Sequence, residues 1–203
     1  MDEVRLGDTS VRILPVVRGL PSEAGTVRHA IETVGPAVVG LSIGPEELET
    51  VRYYDGGPLG PDNFEEEVYV AGLSAWETPV KPPPCFTEAI RVADARKTRV
   101  EAIDMDEVTY TEAYVASVST LELVFQGRLE RRLAKKRFRA ANARDFVLEW
   151  DAEVNGSPGF ARLQLQREAF MGSRLRTLAS SHANVLAVIE EERVKGVTAA
   201  LRG

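Results

Sequence analysis

The apolar positions of this chain recur with two different periods, and their order predicts an α/β fold. Residues 11–17, VRILPVV, are mostly apolar and β-branched, as a buried strand requires. Pro21 and Ser22 open a helix with Ser22 as its N-cap. Val27, Ala30, Ile31 and Val34 follow at i, i+3, i+4 and i+7, so one helical face packs on a sheet until Gly35 and Pro36 end it. Residues 37–43 are apolar almost throughout, the pattern of a parallel strand covered on both faces. Strand, helix and strand make a βαβ unit.

Beyond it, a short helix carries Leu48 and Val51, the Gly- and Pro-rich residues 53–61 form a loop, and a second helix covers residues 63–73. Pro79, Pro82, Pro83 and Pro84 exclude regular helix up to about Cys85. A helix from Phe86, with Ala89, Ile90 and Ala93 on one face, leads to a strand at 99–103 that ends at Asp104. From 108 to 150 the period is helical, with Tyr114, Val118, Leu121 and Phe125 as an apolar stripe. The turn NGSPG at 155–159, a helix at 160–180, a strand at 184–189 and a short helix from about 194 complete the chain. The expected whole is a single α/β domain over residues 1–203: a mainly parallel sheet of four or more strands, flanked by helices, with a helical insertion at about 108–150. A stripe of that length needs a cover, either the sheet or a second copy across a two-fold axis, so a homodimer through the helical segment is expected.

Composition narrows the function classes. The net charge is -6, which argues against nucleic acid as a partner of the surface as a whole. No stretch approaches the roughly 18–20 apolar residues of a membrane span, and the opening residues MDEVRLGDTS lack a signal-peptide pattern, so a cytoplasmic location is expected. The single cysteine, Cys85, excludes an intramolecular disulfide and a zinc site built mainly from thiolates. GxGxxG, Walker A, HExxH and CxxC patterns are all absent. Of the two histidines, His29 lies off the apolar face of its helix and His182 lies in a polar turn, so both read as surface residues. Ser42 and Cys85 have no histidine nearby in sequence and read as structural.

Four segments stand in a telling order: TVRHAIETVGPAVVGLSI at 26–43, IDMD at 103–106, QREAFMGSRL at 166–175 and LAVIEEERVKGV at 186–197. Together with residues 14–18 they resemble the TraB family, which is similar to a metal-dependent hydrolase group that includes the Tiki ectodomain proteases, erythromycin esterases and haem-binding ChaN proteins. The resemblance spans about residues 14–201. It implies a GxxH motif after the first strand and another after the last. Here Pro15 and Arg18 stand at the Gly and His of the first, Glu190 and Arg193 at those of the second, and Ser42 where the family has a carboxylate.

Arginine keeps its proton and has no lone pair for a metal. The degenerate motif therefore implies a pseudoenzyme without a metal or other cofactor, acting by binding an anionic ligand or a protein partner. Arg18, Arg167 and Arg193 are the candidate ligand-binding residues. The alternative is a carboxylate-based, possibly magnesium-dependent, hydrolase using Asp104 and Asp106, with Glu88 joining them by the family's analogy. Against both stands the reading that these carboxylates simply neutralise the arginines. A third reading makes the basic run, Arg128, Arg131, Arg132, Lys135, Lys136, Arg137 and Arg139, an adaptor helix for nucleic acid or a membrane.

Overall fold

The sheet is organised around its latest strand. Among the residues described by the computed structural model, 1–57 and 59–203, five strands and nine helices form. The strands are β1 (Asp2–Leu6), β2 (Thr9–Val16), β3 (Val38–Leu41), β4 (Arg99–Ala102) and β5 (Asn184–Glu190), in the spatial order β1-β2-β5-β3-β4. β5 pairs in parallel with both β2 and β3, β4 pairs in parallel with β3, and only β1 runs antiparallel, as a hairpin partner of β2. The α/β class and the mainly parallel sheet are those the sequence predicts. The β1 strand is an addition: of DEVRL only Val4 is buried, because an edge strand needs little apolar surface.

Alternation along β2 and β5 divides the core. Leu14, Val16, Leu186 and Val188 face α1 (Glu23–Val34), α2 (Pro45–Arg52) and α4 (Pro84–Ala95). Val11, Ile13, Val185, Ala187 and Ile189 face α8 (Pro158–Ser181) and α9 (Glu191–Arg202), where Met171, Leu175, Val197 and Leu201 are buried. α8 and α9 approach closely at Gly172, where a methyl group would stand 2.7 Å from the Ala200 Cβ. A methyl group at Gly196 would run into the Glu168 carboxylate.

The predicted helical region is three helices, α5 (Glu107–Ser117), α6 (Thr120–Leu133) and α7 (Ala143–Val154). With α3 (Phe64–Leu73), α6 and α7 build a third core, in which Leu73, Leu133, Phe146, Val147 and Trp150 pack against Val17 and Leu20 just beyond β2, while α5 lies on α8. Arg144 of α7 ties this layer to the rest through Glu23 at 3.3 Å, Glu191 and the Pro15 carbonyl.

Several local expectations are corrected. Ser22 does not cap α1; its Oγ donates to Glu77 at 2.6 Å instead. α4 starts at Pro84, because a proline at the first helical position gives up no needed N–H. The apolar stripe is not continuous: Ser119 breaks the helix and caps α6 in a reciprocal box with Glu122. Val118 is then buried and Tyr114 half-buried against Phe160, while Leu121 and Phe125 stay exposed. The basic run is helical only to Leu133. No helix among the described residues is long and apolar enough to cross a membrane.

Candidate functional site

Four parallel strands end side by side, and the residues following them share one cleft, the usual location of sites in open α/β sheets. Arg18 leaves β2 at a tight turn. Gly19 holds a φ of +96°, and a side chain there would press on the Pro79 Cβ at 3.1 Å. The turn carries Arg18 across the end of β5, where it donates to Glu190 Oε1 at 3.1 Å and to Glu47 Oε1 of α2 at 2.5 Å. Burial opposes the guanidinium charge, but Glu190 and Glu47 outweigh it and raise the Arg18 pKa. Burial in turn raises Glu47, with Arg18 pulling the other way.

Asp104 follows β4 and is buried. Its Oδ1 accepts the Met105 N–H at 2.8 Å, and its Oδ2 accepts from Arg167 of α8, at 3.1 Å from Nε and more closely from Nη2. Arg167 also lies over the Tyr110 ring. Arg193, one turn into α9, is only 4 % exposed. It donates to Glu168 Oε1 at 3.0 Å and to Asp151 of α7. Burial pushes Glu168 up to about 7 against the pull of the Arg167 charge, and Arg193 down to about 10 against that of Asp104.

The three arginines thus converge, and each is already held by carboxylate. Asp104 supplies one of these anchors; Glu47, Glu190, Glu168 and Asp151, which carried no such role in the sequence, supply the others. In the sequence Glu190 stood only at the Gly of the second motif, and Glu192 carried no role. β5 passes into α9 at Glu190 with a φ of -54°, so no left-handed residue is required there. Glu192 lies on the cleft wall with Tyr69, Trp150 and Glu190. Burial first, then the Glu190 charge, pushes its carboxyl up to about 8.

The carboxylate triad of the alternative hydrolase does not assemble. Glu88 lies on α4 facing α1, accepting from Arg28 Nε at 2.5 Å and from Arg91 Nε and Nη2 at 2.7 Å. Its hydrogen bond from Arg91, with that from Arg28, outweighs burial and holds it at about 2. Asp106 is the N-cap of α5, accepting the Thr109 N–H at 2.7 Å, which lowers its pKa. Only Asp104 of the three faces the cleft.

Nor do the residues present fit the metal that the TraB resemblance implies. Both positions of the family's histidines hold guanidinium donors, and among the described residues no group of three or more His, Cys, Asp or Glu side chains could hold a metal ion. Ser42 Oγ accepts the Glu190 N–H at 3.2 Å, stitching β3 to β5. Burial pushes the Cys85 thiol up to about 12, so it is not poised as a nucleophile. His29 is exposed, and the His182 ring packs at 3.0 Å from the Leu178 carbonyl.

Arg18 borders three cavities. One of about 260 Å³ includes Ser42, Asp104 and Arg167, and one of about 200 Å³ includes Glu190, Glu192 and Arg193. The third, about 370 Å³, is walled by Tyr54, Leu59, Tyr69, Val70 and Val80, with Lys81 beside it. No protein-family model and no curated protein matches this chain.

Proposed function

We propose that this chain is a TraB-like α/β protein that has given up metal-dependent hydrolysis and works by binding. The observation that carries the reading is the state of the arginines. At both ends of the cleft a guanidinium stands where the resemblance calls for imidazole, and carboxylates neutralise it. A metal would meet fixed positive charge and no free lone pair.

The same pairing bears on the ligand. Glu47 and Glu190 already neutralise Arg18 and repel an incoming anion, while leaving some of its N–H groups to a neutral acceptor, and Lys81 is likewise engaged with Asp62 at 2.8 Å and Glu66 at 2.9 Å. The charge network is therefore a poor receptor for phosphate or small dicarboxylates. The cavity of about 370 Å³ falls within the size range of small-molecule sites, and its aromatic and aliphatic walls suit an apolar body with one polar group directed at Arg18.

Calorimetric titration tests this with wild type, Arg18→Ala and Arg193→Ala. Phosphate and succinate are expected to give equal, weak responses in all three. A small aryl carboxamide is expected to bind wild type saturably and Arg18→Ala more weakly. Saturable phosphate or succinate binding lost in Arg18→Ala would restore the anion-site reading. Near-stoichiometric zinc, manganese or cobalt in purified protein, lost on Asp104→Ala, would restore the hydrolase.

A further inference from the structure

Two helix faces of opposite charge are left without a cover. On α5 the residues Val108, Thr111, Glu112 and Val115 are exposed, and on α6 the residues Leu121, Val124, Phe125 and Arg128. The five apolar side chains among them are each more than half open to solvent. Both sets stand at i, i+3, i+4 and i+7, which places each within one arc of about 100° on its helix. Each is therefore a face shaped for packing.

Neither face is used inside the chain. α5 rests on α8 with Tyr114 against the Phe160 ring, and α6 rests on α3 and α7 through its opposite side, where Gln126, Leu129 and Leu133 lie. The Glu122 carboxylate accepts from Ser157 Oγ at 2.8 Å and from the Gly159 N–H at 2.5 Å, and Arg162 donates to the Ser117 carbonyl at 2.8 Å. Both helices are thus held to the start of α8, which fixes their outer faces in advance of any partner. The faces differ in sign. Glu112 is the charged residue of one and Arg128 of the other, and among the described residues neither forms an ion pair. The Arg128 guanidinium lies over the Phe125 ring at 5.6 Å, which holds the cation to the apolar part of its face.

We propose that these faces cover each other between two copies of this chain, α5 of one laid along α6 of the other, with Glu112 and Arg128 paired across the joint. A two-fold axis makes the contact twice, because α5 on the second copy's α6 brings α6 onto the second copy's α5. One operation then covers all four faces. The apolar side chains supply the attraction, and the charges fix which face meets which, since α5 on α5 or α6 on α6 would leave Glu112 and Arg128 without a counter-charge. An anionic bilayer or a nucleic acid accounts for less: either would attract Arg128, but it would repel Glu112 and leave Val108 and Val115 uncovered.

Sedimentation equilibrium of the full chain across the micromolar range is the test. Wild type is expected to be a dimer. Glu112→Arg and Arg128→Glu should each weaken dimerisation by about tenfold or more, because each sets like charges across the joint twice. An equimolar mixture of these two variants should form a mixed dimer of near wild-type affinity, since one copy then carries arginine at both positions and the other glutamate. The double variant Glu112→Arg/Arg128→Glu should recover the dimer for the same reason, and recovery shows that the variants fold. Leu121→Ser/Phe125→Ser should be monomeric, with the circular dichroism of wild type. A monomeric wild type overturns the proposal, as does a dimer indifferent to Leu121→Ser/Phe125→Ser. Charge variants that leave the dimer unchanged, or that weaken it without recovery in the mixture and the double variant, overturn the pairing of α5 with α6.

Discussion

At the scale of single residues, the arginines of the cleft should not be equivalent. Arg193 is buried between Glu168 and Asp151, so Arg193→Ala strands a buried carboxylate and should cost about 3–5 kcal/mol in urea unfolding. The Arg18 side chain is 38 % exposed and Glu47 34 %, but Arg18→Ala also strands Glu190, 9 % exposed, and should cost a smaller amount, about 1–3 kcal/mol. Equal losses would mean that the two pairs share one environment. Glu192 gives a pH signature. Its carboxyl is raised from 4.5 to about 8, so the stability it contributes is full below about pH 4.5 and is lost as the pH rises through about 8. Glu192→Gln should therefore match wild type near the acid end of that window and be the more stable above it. A constant difference in melting temperature across the window would refute the assignment. Glu88 works in the opposite sense. Held at about 2, it stabilises above about pH 4.5 and loses that contribution as the pH falls towards 2.

At the scale of elements, junctions matter more than interiors. Ser119→Ala removes the cap that starts α6 and should cost about 1 kcal/mol, read as faster amide exchange in the first turn of that helix. Gly196→Ala drives a methyl group into Glu168 and should cost about 1–3 kcal/mol in thermal unfolding. Junctions also mark what could be read from the chain beforehand. β2, β3, β5 and α1 were legible because their apolar residues recur with a clean period. The α5–α6 break was written locally as Ser119 and Glu122, three apart, but the apolar stripe running across it read as one helix. β1 was hidden because an edge strand buries only Val4. In the cleft, Asp104 could be located because it ends a strand, and Arg18 and Arg193 through the TraB resemblance. Glu47, Glu168 and Asp151 could not, since pairing between elements 25 to 42 residues apart, or across the sheet, leaves no local pattern.

At the scale of the whole molecule, strand order differs from chain order, and this governs how the protein is made. β5 lies between β2 and β3 although it is the latest in the chain of the five described strands. Until residues 184–190 leave the ribosome, the β1–β2 hairpin and the β3–β4 pair have no strand joining them, and each presents a long apolar edge. Non-local parallel pairing of this kind is slow to form. A nascent chain stalled short of Asn184 should therefore be cut by protease on both sides of the future β5 slot and be held by chaperones, while the released chain resists. The cleft matures in that same final step, since Glu190, Glu192 and Arg193 arrive with β5. Sheet, charge network and cavity are therefore expected to be completed together, when β5 takes its place.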